Sequence, residues 1–255
     1  MNSPLAIVLA AGKGTRMETD LPKVLVPALG RPMIEYVLEA LHEAGIQRAL
    51  VVVGYRSGEV RRVLTEPSGR RFPQITFVEQ TEQLGTGHAV QVCRDCLAGH
   101  DGPVLIMTGD SPLVQRESLA ALLERFQQDR PACILGTLHK EDPAGLGRIV
   151  RDRQGGFVAI VEEKDATAQQ RDITEVNMST YVFNGRDLLD SLAQIRNDNR
   201  QGEYYITDCP GILKDAGRAV LALAVLKSCE ALSINSFEDL TVVEEEMRKL
   251  GYGSG

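Results

Sequence analysis

The stretch Leu9-Ala-Ala-Gly-Lys-Gly-Thr-Arg-Met17, followed by Leu21-Pro-Lys23, joins two glycines to three cations, Lys13, Arg16 and Lys23. Gly12 and Gly14 permit a tight turn whose N–H groups point outward, and such a nest binds anions. Arginine grips phosphate oxygens in pairs, while lysine acts as a point charge. Together these residues suit a triphosphate. Two better-known glycine motifs do not fit. A dinucleotide fingerprint needs a third Gly and an acidic residue ending the second strand; Met17 and Val53-Gly-Tyr55 stand there instead. A P-loop needs a Gly-Lys-Ser/Thr ending, which is absent. A strand-to-helix turn with solvated charges is the remaining alternative.

A second group of interest is Thr108-Gly-Asp-Ser-Pro-Leu113, just past an apolar run. Asp110 there can turn a carboxylate into a crevice, although Gly-Asp-Ser-Pro is also plain turn chemistry. Mg²⁺ takes oxygen ligands and keeps several waters, so one or two protein ligands suffice for it. Other features invite simpler readings. Cys93-Arg-Asp-Cys96 lacks a second pair and a histidine at zinc spacing, and its thiols are expected to pack on a helix. His88 reads as a helix-start cap or packing residue, Tyr204 and Tyr205 as core or hinge aromatics, and Glu244-Glu-Glu246 as a solvated helix face.

These residues need a scaffold, and the apolar pattern supplies one. Residues 5–10, 49–53, 75–78, 104–107 and 133–135 are short apolar runs typical of strands buried on both faces. Helical spacing falls between them, at 33–41, around 60–64, at 89–97 and at 119–126. Such alternation implies right-handed crossovers and a Rossmann-like, mostly parallel α/β sheet with helices on both faces. The second half changes character. Residues 148–151 and 157–161 flank Asp152-Arg-Gln-Gly-Gly156 and read as a β-hairpin insertion. A strand at 176–183, helices at 188–195 and 206–216, a strand at 219–226 and a helix at 240–250 follow. Residues 1–255 are expected to form one domain, with 251–255 mobile.

Composition narrows the function. The chain has 255 residues, 43% hydrophobic and 25% charged, with 28 basic against 35 acidic residues and a net charge of −7. An acidic protein with no Trp is a poor nonspecific nucleic-acid binder. No segment reaches the roughly 18 apolar residues of a spanning helix, so no membrane partner is expected. Five scattered cysteines suit a reducing, cytoplasmic setting.

The ordered set of motifs resembles sugar-nucleotide pyrophosphorylases, most of all the uridylyltransferase portion of bacterial enzymes that make UDP-N-acetylglucosamine. Beyond the glycine loop and the Asp110 loop, the likeness runs through Glu79-Gln-Thr-Glu-Gln-Leu-Gly-Thr-Gly-His88, Gly145-Leu-Gly-Arg-Ile149 and Ile160-Val-Glu-Glu-Lys-Asp-Ala-Thr167. It continues through Glu175-Val-Asn177, Gln201-Gly-Glu-Tyr-Tyr-Ile-Thr-Asp208 and Ile234-Asn235. The resemblance implies a GT-A-like fold and attack of a sugar-1-phosphate on the α-phosphorus of UTP, with Mg²⁺ as cofactor. It implies Arg16 and Lys23 as catalytic cations, and Asp110 and Asn235 as metal ligands. Leu9, Ala10, Ala11, Gly12 and Lys23 would hold the nucleotide, with Gln80 and Gly85 on the uracil and Thr86, Thr108 and Gly109 completing the set. Gln80 offers both donor and acceptor to an imide edge. Gly147, Glu162, Asn177 and Asn235 would meet the sugar, and Thr86 would reach it too. The family usually has Asn-Thr-Gly where this chain has Asn177-Met178-Ser179, a larger side chain expected beside the sugar pocket. A left-handed β-helix, which carries acetyl transfer in the bifunctional relatives, is not expected within these residues. A different nucleotide or phosphorylated acceptor, and a UDP-sugar-binding module without turnover, are the alternative functions.

Overall fold

Six consecutive apolar residues, Leu5–Ala10, form β1, and they are almost wholly buried because both faces of the strand are covered. The computed structural model describes residues 3–14, 19–66, 72–232 and 234–253. In chain order β1 is followed by a small ribbon, β2 (Pro27–Ala28) and β3 (Arg31–Pro32), and by α1 (Met33–Glu43). Then come β4 (Arg48–Val53), α2 (Ser57–Thr65), β5 (Gln74–Glu79), α3 (Thr86–Gln91), α4 (Arg94–Leu97), β6 (Pro103–Thr108), α5 (Arg116–Asp129) and β7 (Cys133–His139). The second half holds β8 (Gly147–Arg151), β9 (Phe157–Val161), α6 (Ala168–Arg171), β10 (Glu175–Asn184), α7 (Gly185–Leu192), α8 (Asp208–Asp215), β11 (Val220–Leu223) and α9 (Phe237–Lys249).

The main sheet runs β11-β7-β10-β6-β1-β4-β5. β1 pairs in parallel with β4 and β6, β4 with β5, and β7 with β11. β10 is the exception, lying antiparallel between β6 and β7. The chain reaches it by way of the β8–β9 hairpin, which is antiparallel and tied to β10 through Val176↔Arg148 and Asn177↔Gly147. Alternate residues feed two cores. Ala6, Val8 and Ala10 of β1 pack with α1, α2 and α5 on one face, and Leu5 and Ile7 pack with α3, α7 and α8 on the other. A third, smaller core joins the ribbon and α1 to Val243 and Met247 of α9. Each fully buried aliphatic side chain contributes on the order of 1.5–3 kcal/mol. No described helix is long and apolar enough to cross a membrane.

Several expectations change. The helix expected over 89–97 is two, because Cys93 N–H bonds to Val90 O at 3.0 Å, a three-residue step that ends the α-helical ladder. Of the two cysteines expected to pack there, Cys93 does and its thiol is pushed up to about 12 by burial, whereas Cys96 is exposed. The strand expected over 219–226 stops at Leu223. Within the tail expected to be mobile, Tyr252 is docked edge-on against Tyr36, with ring centroids 5.7 Å apart.

The hairpin is held to the sheet by charge. Arg151 donates to both oxygens of Glu175, at 2.6 and 2.7 Å, and to Ala222 O of β11 at 2.8 Å. Thr137 of β7 adds a hydrogen bond of 2.6 Å to the same carboxylate. Burial works to raise the Glu175 carboxyl, but these hydrogen bonds outweigh it and hold it below its ordinary range. Removing the arginine strands a carboxylate that is only 7% exposed. Arg151→Ala is expected to lose about 3 kcal/mol of stability at pH 7 in urea denaturation. The loss shrinks as the pH falls and Glu175 takes up a proton.

Candidate functional site

Parallel strands deliver their C-terminal loops to one edge, and the crevice opens where strand order reverses, at β1 between β4 and β6. A cleft of about 250 Å³ lies there. It is walled by the end of β1 (Leu9, Ala10) and the loop residues Ala11 and Gly12, by Gln80, Gly85 and Thr86, and by Lys23, Thr108 and Asp110. All of these were named from the sequence. Gly109 does not line the cleft; its N–H bonds to Leu9 O at 2.8 Å and stitches the Asp110 loop to β1. Val24, Gln83, Ala89 and Glu203 line it without having been assigned. Gln83 and Glu203 lie inside quoted motifs, which was the available signal. Arg16, expected beside Lys23, falls outside the described residues.

Lys23 opens a short 3₁₀ turn after Pro22. Its Nζ sits 2.7 Å from Asp110 Oδ2 and 3.4 Å from Asn235 Oδ1. Gly14, at φ +68°, makes this approach possible, since a Cβ there would stand 2.7 Å from Lys23 Cβ. Asn235 is placed by the start of α9. Ser236 caps that helix, and Asp239 Oδ2 accepts from the backbone N–H of Asn235 (2.8 Å) and of Ser236 (3.0 Å). Glu244 of the same helix accepts from Leu29 N–H at 2.9 Å, fixing α9 to the ribbon.

The cleft's opposite wall joins two distant motifs through backbone. Gly87 N–H donates to Tyr204 O at 2.7 Å, and Tyr204 N–H donates to Leu84 O at 2.8 Å. Gly85 sits at φ +105°, and a Cβ there would meet the Tyr204 backbone, so this turn requires glycine. The Thr86 hydroxyl, expected at the ligand, accepts from Ile206 N–H at 3.2 Å.

Gly147, Glu162 and Asn177 form a second patch at the root of the hairpin. A Cβ on Gly147 would lie 3.5 Å from Asn177 Cβ and 3.6 Å from Glu162 Oε1. Asn177 is buried and donates to Tyr181 OH at 2.8 Å. Asn235, expected with this group as well as at the metal, is placed with Lys23. Met178, next in the chain, faces away from Asn177. It shares its face of β10 with Val176 and Val182, packs against the same core and lines a small cavity with Met107 and Leu226. Ser179 takes the left-handed conformation (φ +53°) that glycine favours, and Asn177 Oδ1 accepts its N–H at 3.3 Å.

Residues 5–226 match the family described as nucleotidyl transferase. The chain belongs to the nucleotidyl transferase family. Among curated proteins this nucleotidyl transferase is similar to Bifunctional protein GlmU of Lactococcus lactis subsp. cremoris (strain SK11), 44% identical over 245 residues, 96% of this chain and 52% of the relative. It is similar to Bifunctional protein GlmU of Exiguobacterium sp. (strain ATCC BAA-1283 / AT1b), 41% identical over 244 residues, again 96% of this chain and 52% of the relative. The chain spans about half the length of the curated relatives it matches. A crystal structure of UDP-glucose pyrophosphorylase complexed with UDP-glucose superposes with a TM-score of 0.80, covering 98% of this chain and 100% of that one at 18% identity. That likeness establishes a common fold.

Carboxylates gather near the second patch of this nucleotidyl transferase. Burial raises Glu162, opposed by a hydrogen bond from Thr207 and helped by Asp165. Asp208 is pushed up to about 6 by burial first, and then by Glu162, Asp198 and Asp165. The folded state therefore holds a proton on Asp208 more tightly than the unfolded chain, and ionising it above pH 6 costs stability. Asp208→Asn is expected to be more stable than the parent at pH 8, by about 1 kcal/mol, and no more stable at pH 4. Thermal unfolding at the two pH values checks this.

Proposed function

We propose that the chain condenses UTP with an N-acetylhexosamine-1-phosphate, in the first place N-acetylglucosamine-1-phosphate, releasing pyrophosphate and a UDP-sugar. The observation that carries the reading is the meeting of Lys23, Asp110 and Asn235 at the mouth of a cleft walled by the glycine loop. The motif order and the similarity to bifunctional GlmU proteins support the choice of substrates. The reading concerns nucleotidyl transfer alone.

A divalent metal fits the residues. Asp110 Oδ2 and Asn235 Oδ1 already converge on one cation, the Lys23 ammonium. Among the described residues no cluster of three or more His, Cys, Asp or Glu is built to cage a metal. Two oxygen donors suit a hydrated Mg²⁺, which would neutralise the charge on triphosphate and sugar phosphate. Lys23 supplies a second positive charge at the phosphates, and Arg16 a third. The backbone at Ala10, Ala11 and Gly12 lets the nucleotide lie close to the end of β1. The sugar meets Gly147, Glu162 and Asn177. Catalysis of this kind needs no covalent intermediate, only two anions brought into line with their charge screened.

Pyrophosphate release is expected to require UTP, Mg²⁺ and the sugar phosphate together. Asp110→Ala is expected to lower kcat by at least ~100-fold while circular dichroism shows the fold intact. Full turnover by that variant defeats the assignment. A UDP-sugar bound in calorimetry without any turnover by the parent chain would favour a binding module instead.

A further inference from the structure

Gln80 is 3% exposed in the wall of the cleft, and its backbone N–H is tied to Val53 O at 2.8 Å. Its side-chain Nε2 lies 3.2 Å from the Gly85 carbonyl oxygen and 3.1 Å from His88 Nδ1. A carbonyl oxygen only accepts, so the amide nitrogen, and not the amide oxygen, must face Gly85. The second hydrogen on that nitrogen then meets His88 Nδ1. That ring atom has to present a lone pair, which places the proton of the neutral imidazole on Nε2. Both amide hydrogens are thus engaged within the protein. Among the described residues Gln80 Oε1 accepts no hydrogen bond, and it is not one of the fully enclosed unpartnered atoms. The carbonyl is the part of this amide left for a ligand.

We propose that His88 is a positioning residue for base selection, its Nδ1 lone pair acting with the Gly85 carbonyl to lock Gln80 so that the cleft reads a hydrogen-bond donor on the pyrimidine. Uracil carries N–H at N3, whereas cytosine carries a lone pair there and would set two acceptors against each other. This corrects the expectation that Gln80 supplies both donor and acceptor to the base. The parts of the lock are themselves held. Gly85 O also accepts from Ala89 N–H at 3.1 Å, and the His88 ring lies against Tyr204 with centroids 6.5 Å apart. The inference rests on the nucleotide reading of the cleft and adds the residue that decides which pyrimidine enters.

The test is calorimetric titration of the full chain with UTP and with CTP, in the absence of sugar phosphate. The parent is expected to bind UTP at least ~10-fold more tightly than CTP, because a mismatched base leaves a buried acceptor unpaired. His88→Asn, whose Oδ1 can stand in for Nδ1 as acceptor, keeps that ratio. His88→Leu, which has no acceptor, brings the ratio towards one. The ¹⁵N spectrum of the parent is expected to show His88 unprotonated at Nδ1. An unchanged ratio in a folded His88→Leu, equal binding of UTP and CTP by the parent, or a proton on Nδ1 overturns the proposal. If His88→Leu fails to fold, the ¹⁵N spectrum and the Asn variant decide. Absence of pyrophosphate release with any sugar phosphate would overturn the proposed reaction while leaving base selection standing. Failure to bind either nucleotide overturns both.

Discussion

An ammonium group shared between a carboxylate and an amide oxygen joins three remote parts of this chain. Lys23 comes from the loop after the first strand, Asp110 from the loop after the sixth, and Asn235 from the start of the last helix. They arrive by two physical routes. The first two are neighbours because β1 and β6 pair in parallel and end at the same level, with Leu9 opposite Thr108. The third is brought by apolar packing, since Val243 and Met247 of α9 bury against Met33 and the ribbon. Were that small third core loosened, Asn235 would lose its place even though it lies outside the main sheet.

Charge is sorted across the molecule. The net charge is negative, yet Lys13 and Lys23 stand at the glycine loop, and a group of carboxylates gathers around Glu162 and Asp208. The hairpin end carries the hydrogen-bonding side chains of Asn177 and Glu162. The antiparallel β10 serves this division. Its first half pairs with β8 and carries Asn177 to the hairpin, and its second half returns to the central sheet beside β6.

The fold is shared at 18% identity with a structure of UDP-glucose pyrophosphorylase, so most side chains in it are replaceable. What resists replacement is geometric. Gly14 admits Lys23, and Gly85 admits the Tyr204 backbone, and in both cases any larger residue would occupy space already taken. These positions explain why motifs far apart in the chain occur together: each leaves room for another.

The alternation of apolar runs with helical spacing determined the layered sheet, the hairpin and the crevice at the end of β1, because burial on two faces leaves a strand little choice of residue. The glycine loop and the Asp110 turn were legible for the same reason, being short local patterns with a chemical purpose. The antiparallel sense of β10, the break at Cys93 and the docking of Tyr252 were not, since they depend on pairing and packing with distant partners. Met178 shows the limit well: its neighbours in sequence suggested a pocket wall, and in the fold its side chain packs with Val176 and Val182. The orientation of Gln80 was likewise decided in three dimensions, because an amide's donor and acceptor ends are distinguished only by what stands opposite them, here Gly85 O and His88 Nδ1.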